Sequence, residues 1–222
     1  MNVEIAGLLR CPRCHGWLEL RSDEQGDAQV VRGALRCPRC AVDYPIVAGV
    51  PRMIPGMQVT ATRRSFTYQW RLGLEGRLRA RDAQFAHDPE LMMRFHMDVA
   101  LGRPDAGQLM LDLGCGTGEN AAIAARDHAH STVVALDLAD TIGEVAARFA
   151  DLPNLHFVQG DASALPFADG AFDKGMSWGV LHHTADTRGH LLEVARVVAP
   201  GGRLAVWIYP LPSEDRLFRA LQ

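Results

Sequence analysis

The chain has 222 residues, 48% of them apolar and 22% charged, which is enough to bury one sizeable core with a small module beside it and is an ordinary globular composition, not that of a disordered chain. A formal net charge of −3 and a pI near 6.3 exclude wholesale attraction to nucleic acid or an anionic membrane surface, though not a local basic patch. No run approaches about 18 uninterrupted apolar residues, and the amino terminus lacks the run and cleavage site of a secretory signal, so a cytoplasmic location is expected.

Residues 1–56 read as a small module of strands and turns. Short apolar runs stand at 29–31 and 34–35, and an extended exit strand starts at Tyr44 and leads through Pro51, Pro55 and Gly56 into a linker. Cys11 and Cys14 form one Cys-x-x-Cys pair and Cys37 and Cys40 another, with 22 residues between the pairs. Each pair suits a tight knuckle turn, and together they offer four thiolates in tetrahedral array for a structural zinc ion. A unit of about 50 residues has too little core to fold securely alone, so a metal would stabilise it. A thioredoxin-like redox role needs a single pair at a strand–helix junction, which neither pair offers. His15 is surplus to the four ligands.

Residues 57–107 read as a helical linker or lid. Phe66, Trp70, Leu74 and Leu78 recur every four residues as one apolar stripe, and Arg71, Arg77, Arg79 and Arg81 are its polar neighbours. A second helix is predicted over 89–101, with Asp88 as its cap and Pro89 at its first position.

From 108 to 222 strands and helices alternate. The spacing predicts strands over 109–113, 132–137, 156–159, 172–177 and 203–209, and helices over 119 to about 129, 142–149 and 187–198. Apolar strands separated by helices of this length give the α/β class, a Rossmann-like parallel sheet flanked by helices on both faces.

Asp112, Leu113, Gly114, Cys115, Gly116, Thr117 and Gly118 lie between the first strand of this sheet and its helix. Glycines let backbone approach a ligand closely, and the helix start offers free N–H groups. A dinucleotide loop needs a third glycine where Glu119 stands. Glu119 and Asp112 also put negative charge where a pyrophosphate would sit, whereas a ligand with a cationic amine and sulfonium tolerates both. This stretch resembles the first motif of class I S-adenosylmethionine-dependent methyltransferases, and the chain from about 108 to 209 is similar to the type 11 methyltransferase domain, including ubiquinone-biosynthesis-like members.

The resemblance implies a donor site made of Asp112, Gly114, Cys115, Gly116 and Gly118, with Asp137 and Leu138 at the ribose and Asp161 and Ala162 at the adenine. Ser177 and Trp178, in the fourth-strand motif that runs on to His182 and His183, line the methyl-donor pocket. A turn over 199–202, Ala-Pro-Gly-Gly, precedes the fifth strand. Methyl transfer from a sulfonium needs alignment and desolvation more than acid–base machinery, so no catalytic base is assigned. Cys115, near a helix start, could have a lowered pKa but reads as a packing residue.

The segment 6–55, and above all Tyr44, Pro45, Ile46, Gly49, Val50 and Pro51, is similar to the zinc-ribbon family that activates tRNA and protein methyltransferases. There the module is a separate partner; here it is fused, which implies a structural or substrate-docking role. Class I enzymes usually add two strands after the fifth, so a truncated chain, or a partner or second copy covering the fifth-strand edge, is expected.

Three functions follow. The leading one is methylation of a small-molecule acceptor, such as a specialised or carbohydrate-containing metabolite; the segment Phe66, Thr67, Tyr68, Gln69 and Trp70 resembles one found ahead of the domain in such enzymes. The second is methylation of ribosomal or transfer RNA, with Arg63, Arg64, Arg71, Arg77, Arg79 and Arg81 as a phosphate-facing strip. The third is a non-catalytic scaffold.

Overall fold

The computed structural model describes residues 1–22, 29–54, 60–77, 89–102 and 106–208. The expected roles of Pro55, Gly56, Leu78, Arg79, Arg81, Asp88 and everything from Tyr209 onward lie outside the described residues.

The chain opens on a short helix that the sequence reading did not anticipate, α1 (Val3–Leu8), started by the Asn2 side chain accepting from the Glu4 N–H at 3.0 Å. Four antiparallel strands follow in chain order: β1 (Glu19–Ser22), β2 (Gly33–Cys37), β3 (Val42–Val47) and β4 (Val50–Pro51). The single exit strand expected from Tyr44 is instead a hairpin. Ala48 and Gly49 both take positive φ, 50° and 75°, which is the two-residue turn whose twist matches antiparallel strands, and it folds β4 back on β3. Tyr44 and Ile46 on β3 face inward and Asp43, Pro45 and Val47 outward, the period of two that a half-buried strand requires. Val30 and Val31 belong to no strand.

Two helices follow, α2 (Ala61–Leu74), capped by the Thr60 hydroxyl, and α3 (Pro89–Leu101). Then come β5 (Leu109–Leu113), α4 (Glu119–Asp127), β6 (Thr132–Asp137), α5 (Ile142–Arg148), β7 (Leu155–Gln159), β8 (Phe172–Trp178), a 3-10 turn (Leu181–His183), α6 (Thr187–Val197) and β9 (Val198–Trp207). The five strands form one parallel sheet in the order β7-β6-β5-β8-β9. Strand order reverses between β5 and β8, which is where open sheets of this kind bind ligands, beyond the carboxyl ends. The turn expected over 199–202 lies inside β9 as a bulge. Val198 pairs with Phe172 and Arg203 with Lys174, so four residues loop out opposite Asp173. A Cβ on Gly202 would sit 2.6 Å from the Asp173 carbonyl oxygen, which is why the bulge needs glycine there.

Alternation along the strands divides the core in two. Met110, Val133, Ala135, Phe157 and Met176 face α3, α4 and α5, and the alanines of α4 let that helix lie close. Leu111, Leu113, Val134, Leu136 and Val158 face the other way, against Val194 and Val197 of α6 and against Ile5, Leu9, Tyr44 and Met53 of the amino-terminal module. The module therefore shares a core with the sheet. Two backbone seams hold it. Arg10 N–H donates to the Pro166 carbonyl at 2.9 Å beside a Leu9–Phe167 bridge, and Met53 N–H donates to the Gln159 carbonyl at 2.8 Å beside an Arg52–Gln159 bridge. Among the described residues, no helix is long and apolar enough to cross a membrane.

Candidate functional site

The four cysteines converge as their spacing predicts. Their Sγ atoms all lie within 4.8 Å of one another, Cys14 to Cys37 at 3.6 Å and Cys11 to Cys40 at 3.9 Å. Tetrahedral bonds of about 2.3 Å to one ion require sulfur separations of about 3.8 Å. None is in a disulfide. Both knuckles close the same way: the residue after the second cysteine, His15 or Ala41, takes a φ of 53°. The Cys40 N–H donates to Cys37 Sγ at 3.3 Å. The thiols cannot all ionise unaided. Burial pushes Cys11 up, but the buried Tyr44 hydroxyl 3.2 Å away and neighbouring N–H groups outweigh it and bring Cys11 down to about 7. Hydrogen bonds from the other thiols, Cys14 first, together with burial push Cys40 up to about 12. A divalent cation would resolve that repulsion, so the donor set fits a thiophilic metal.

The second site is at the carboxyl rim of the sheet. β5 runs into the turn over 114–118, where Gly114 (φ 75°) and Cys115 both donate their N–H to the Leu136 carbonyl, at 2.7 and 3.1 Å. A Cβ on Gly114 would lie 2.3 Å from a Val180 methyl, and one on Gly116 (φ 56°) would lie 3.1 Å from the Trp70 ring, so bare backbone is required at both. The parallel register sets Asp112 beside Met176 and Asp137 beside Gln159, and so gathers the ends of β5, β6, β7 and β8 on one rim.

Asp137 is buried. Its Oδ2 accepts from the Gly116 N–H at 2.8 Å and its Oδ1 from the Ala139 N–H at 2.8 Å, which locks the glycine turn to the loop after β6. Burial pushes its carboxyl above the usual range, against those bonds. Asp112 is also buried, and its Oδ2 has no protein partner. Burial first, then the nearby Asp137 charge, push it up to about 7. Ser177, fully buried at the end of β8, likewise has an unpartnered Oγ. Leu138 and the half-buried Trp178 lie on the same rim. Asp161 and Ala162 begin the loop after β7, where Asp161 Oδ1 accepts from the Ser163 N–H at 2.8 Å. Cys115 is buried, and burial with the charges of Asp137 and Asp112 raises its thiol well above the usual value, the opposite of the lowering a helix start would give. Glu119, at the start of α4, pairs with Arg148 at 2.7 Å, so its charge counts less against an anion than the sequence alone implied.

Helix α2 lies over this rim. Trp70 covers Gly116, Phe66 stacks on Trp70 at 6.2 Å between centroids, and His183 meets Phe66 edge-on at 5.6 Å. Arg63 pairs with Asp140, the Asp140 N–H donates to Thr67 Oγ1 at 3.0 Å, and Arg71 pairs with Glu144. Three contacts escaped sequence reasoning: Val180 on Gly114, Tyr44 on Cys11, and Gln159 beneath the β6 loop. Only Tyr44 had a local sign, since it heads the exit strand. Two cavities, of about 380 and 550 Å³, lie at the opposite rim. Leu109, Thr132 and His156 line one; Gln108, Lys174 and Arg203 line the other. Neither touches the glycine turn.

Comparison with known proteins agrees with this layout. Residues 111–206 match the family described as a methyltransferase domain, and residues 7–49 match the family described as Trm112p-like protein. The chain is thus similar to a methyltransferase domain over 111–206 and to a Trm112p-like protein over 7–49. The chain also resembles demethylmenaquinone methyltransferases of Thermus thermophilus, 39% identical over 53% of this chain and 54% of the relative, and of Beutenbergia cavernae, 41% identical over 55% and 48%. The chain thus spans about half the length of these curated relatives. Among solved structures, a complex between the Haloferax volcanii Trm112 methyltransferase activator and a candidate methyltransferase matches with a TM-score of 0.50 and 25% identity, over 64% of this chain and 58% of that one.

Proposed function

We propose that the chain is an S-adenosylmethionine-dependent methyltransferase acting on a small-molecule acceptor, with a zinc ion held by Cys11, Cys14, Cys37 and Cys40 as a structural support. One observation carries the donor reading: two buried carboxylates, Asp112 and Asp137, and an unpartnered Ser177 hydroxyl surround a bare glycine turn at the switch point of the sheet. Buried negative charge without a cation is costly, and a ligand bearing an ammonium and a sulfonium would relieve it, whereas a polyphosphate would add to it. Bound there, S-adenosylmethionine supplies an electrophilic methyl group. Asp137 would hold the ribose hydroxyls with lone pairs left over from its two backbone bonds, Gly114 and Gly116 would let the backbone come close, and Asp161 with the Ala162 N–H would meet the adenine. Leu138, Ser177 and Trp178 would line the pocket. Trp70 and Phe66 would exclude water and align the acceptor. No side chain is assigned as a base; burial and the adjacent His183 hold His182 below the usual imidazole range.

The small-molecule reading is supported by the relatives named for demethylmenaquinone methylation. The RNA reading loses support because Arg63, Arg71 and Arg77, three of the arginines in the expected phosphate strip, pair with Asp140, Glu144 and Glu75. Titration calorimetry with S-adenosylmethionine tests the donor site. The parent chain should bind, and Asp137→Asn should weaken binding about tenfold or more, the effect of one charged hydrogen bond. A parent chain that fails to bind the donor overturns the reading.

A further inference from the structure

Gln159 is a buried side chain that the proposed donor site does not use directly, yet it has more polar partners than its neighbours. It ends β7, opposite Asp137. Its Oε1 accepts from Arg52 Nη1 at 3.3 Å, and its Nε2 faces the Leu138 carbonyl at 3.2 Å, the Ala139 carbonyl at 3.2 Å and Asp140 Oδ1 at 2.9 Å. Its own carbonyl accepts from the Met53 N–H. One amide thus joins the cysteine module, through Arg52 and Met53, to the three residues that follow Asp137. The Arg52 guanidinium also reaches the start of α5, its Nη2 2.7 Å from where a Cβ on Gly143 would stand. From the other side, Arg63 and Thr67 of α2 hold Asp140. Burial raises the Asp140 carboxyl, but the bonds from Arg63 and Gln159 outweigh it and keep the group below its ordinary value, as a fixed anion between the two.

We infer that Gln159 is a positioning residue for the donor site: it couples the cysteine module and helix α2 to the 138–140 segment and so fixes the direction in which Asp137 presents its carboxylate to the donor ribose. The inference rests on the donor reading above. The mechanism is geometric. Asp137 Oδ1 is held by the Ala139 N–H, and the peptide planes of that segment are held in turn by Gln159 bonding their carbonyls. Without the amide, those carbonyls lose a donor, the segment slackens, and the carboxylate spreads over several orientations.

The test uses the full, metal-loaded chain and the variants Gln159→Leu and Arg52→Met. Amide hydrogen exchange without ligand reads the coupling alone. Exchange over 137–141 should accelerate in both variants, with zinc content and the cooperativity of unfolding retained. Calorimetry then uses S-adenosylhomocysteine and its 2′,3′-dideoxy analogue. The parent should prefer the hydroxylated ligand, and Gln159→Leu should lose about tenfold in affinity for it while the analogue changes little, so the preference collapses. General loss of structure would weaken both ligands alike and count against the inference. Should Gln159→Leu not fold, Arg52→Met decides: faster exchange over 137–141 supports the coupling, and unchanged exchange overturns it. Unchanged exchange and unchanged preference in a folded Gln159→Leu chain overturn it as well. A parent that binds neither ligand, with exchange still coupled, defeats the donor reading and leaves the coupling standing.

Discussion

Among single residues Asp112 makes the sharpest demand. It is buried, one oxygen lacks a protein partner, and its carboxyl titrates near 7 rather than in the usual range near about 4. Because the fold prefers the protonated form, the stability it contributes is complete below about pH 4 and is lost as pH rises through about 7. A cationic donor prefers the ionised form, so donor affinity should move the opposite way. Calorimetry at pH 6, 7 and 8 should show affinity for S-adenosylmethionine rising across this window, with protons released below pH 7. Thermal unfolding of the ligand-free chain should lose stability over pH 5–8, and Asp112→Asn should flatten both profiles. A parent chain with flat profiles would mean that this carboxyl is already ionised in the fold.

Among elements, α2 differs from the other described helices because none of its residues is fully buried. Ion pairs to Asp140 and Glu144, the edge-on contact of Phe66 with His183 and the seating of Trp70 over Gly116 hold it, and an exposed pair such as Arg71–Glu144 is worth at most about 1 kcal/mol. An element held this lightly can open and close on a site without disturbing the core. Trp70→Ala should leave unfolding within about 1 kcal/mol of the parent while dissociation of S-adenosylhomocysteine, followed by surface plasmon resonance, speeds up about five- to tenfold. Unchanged dissociation would show that Trp70 only packs.

The same scale shows what was legible beforehand. The strands 109–113 and 132–137 read directly, because apolar runs between turn signals have one stable solution in a sheet covered on both faces. The cysteine cluster read directly because its spacing is its geometry. The 48–49 hairpin went unread because Ala48 in a left-handed conformation has no compositional mark. The 199–202 bulge passed for a turn because its pairing to β8 resumes only after it. Gln159 was invisible: its partner Arg52 is 107 residues away, and a lone glutamine at a strand end has no local signature.

Over the whole molecule, the cysteine module acts as part of the sheet's packing. The crossover from β7 to β8 carries no helix, and on that face Leu9 and Met53 of the module share the core with Phe167 and Phe172. Leu9 is fully buried at the seam. Leu9→Ala should cost about 3 kcal/mol, roughly 10 °C in Tm for a chain of this size, and should lower the melting of both parts together. Stripping the proposed zinc with a chelator should lower the transition reported by Trp178 and Trp207 in the sheet, although both are remote from the cysteines in sequence. A sheet that melts unchanged after chelation would show the two parts to be independent.

The covalent join has one more consequence. A two-chain assembly falls apart when its components are scarce, and its yield follows the poorer-expressed member. Here the cysteine module arrives with the parallel sheet in every copy synthesised, at a stoichiometry of one to one, and the Arg10–Pro166 and Met53–Gln159 seams close as intramolecular events whatever the concentration. Dilution to nanomolar levels should therefore leave the molecule whole.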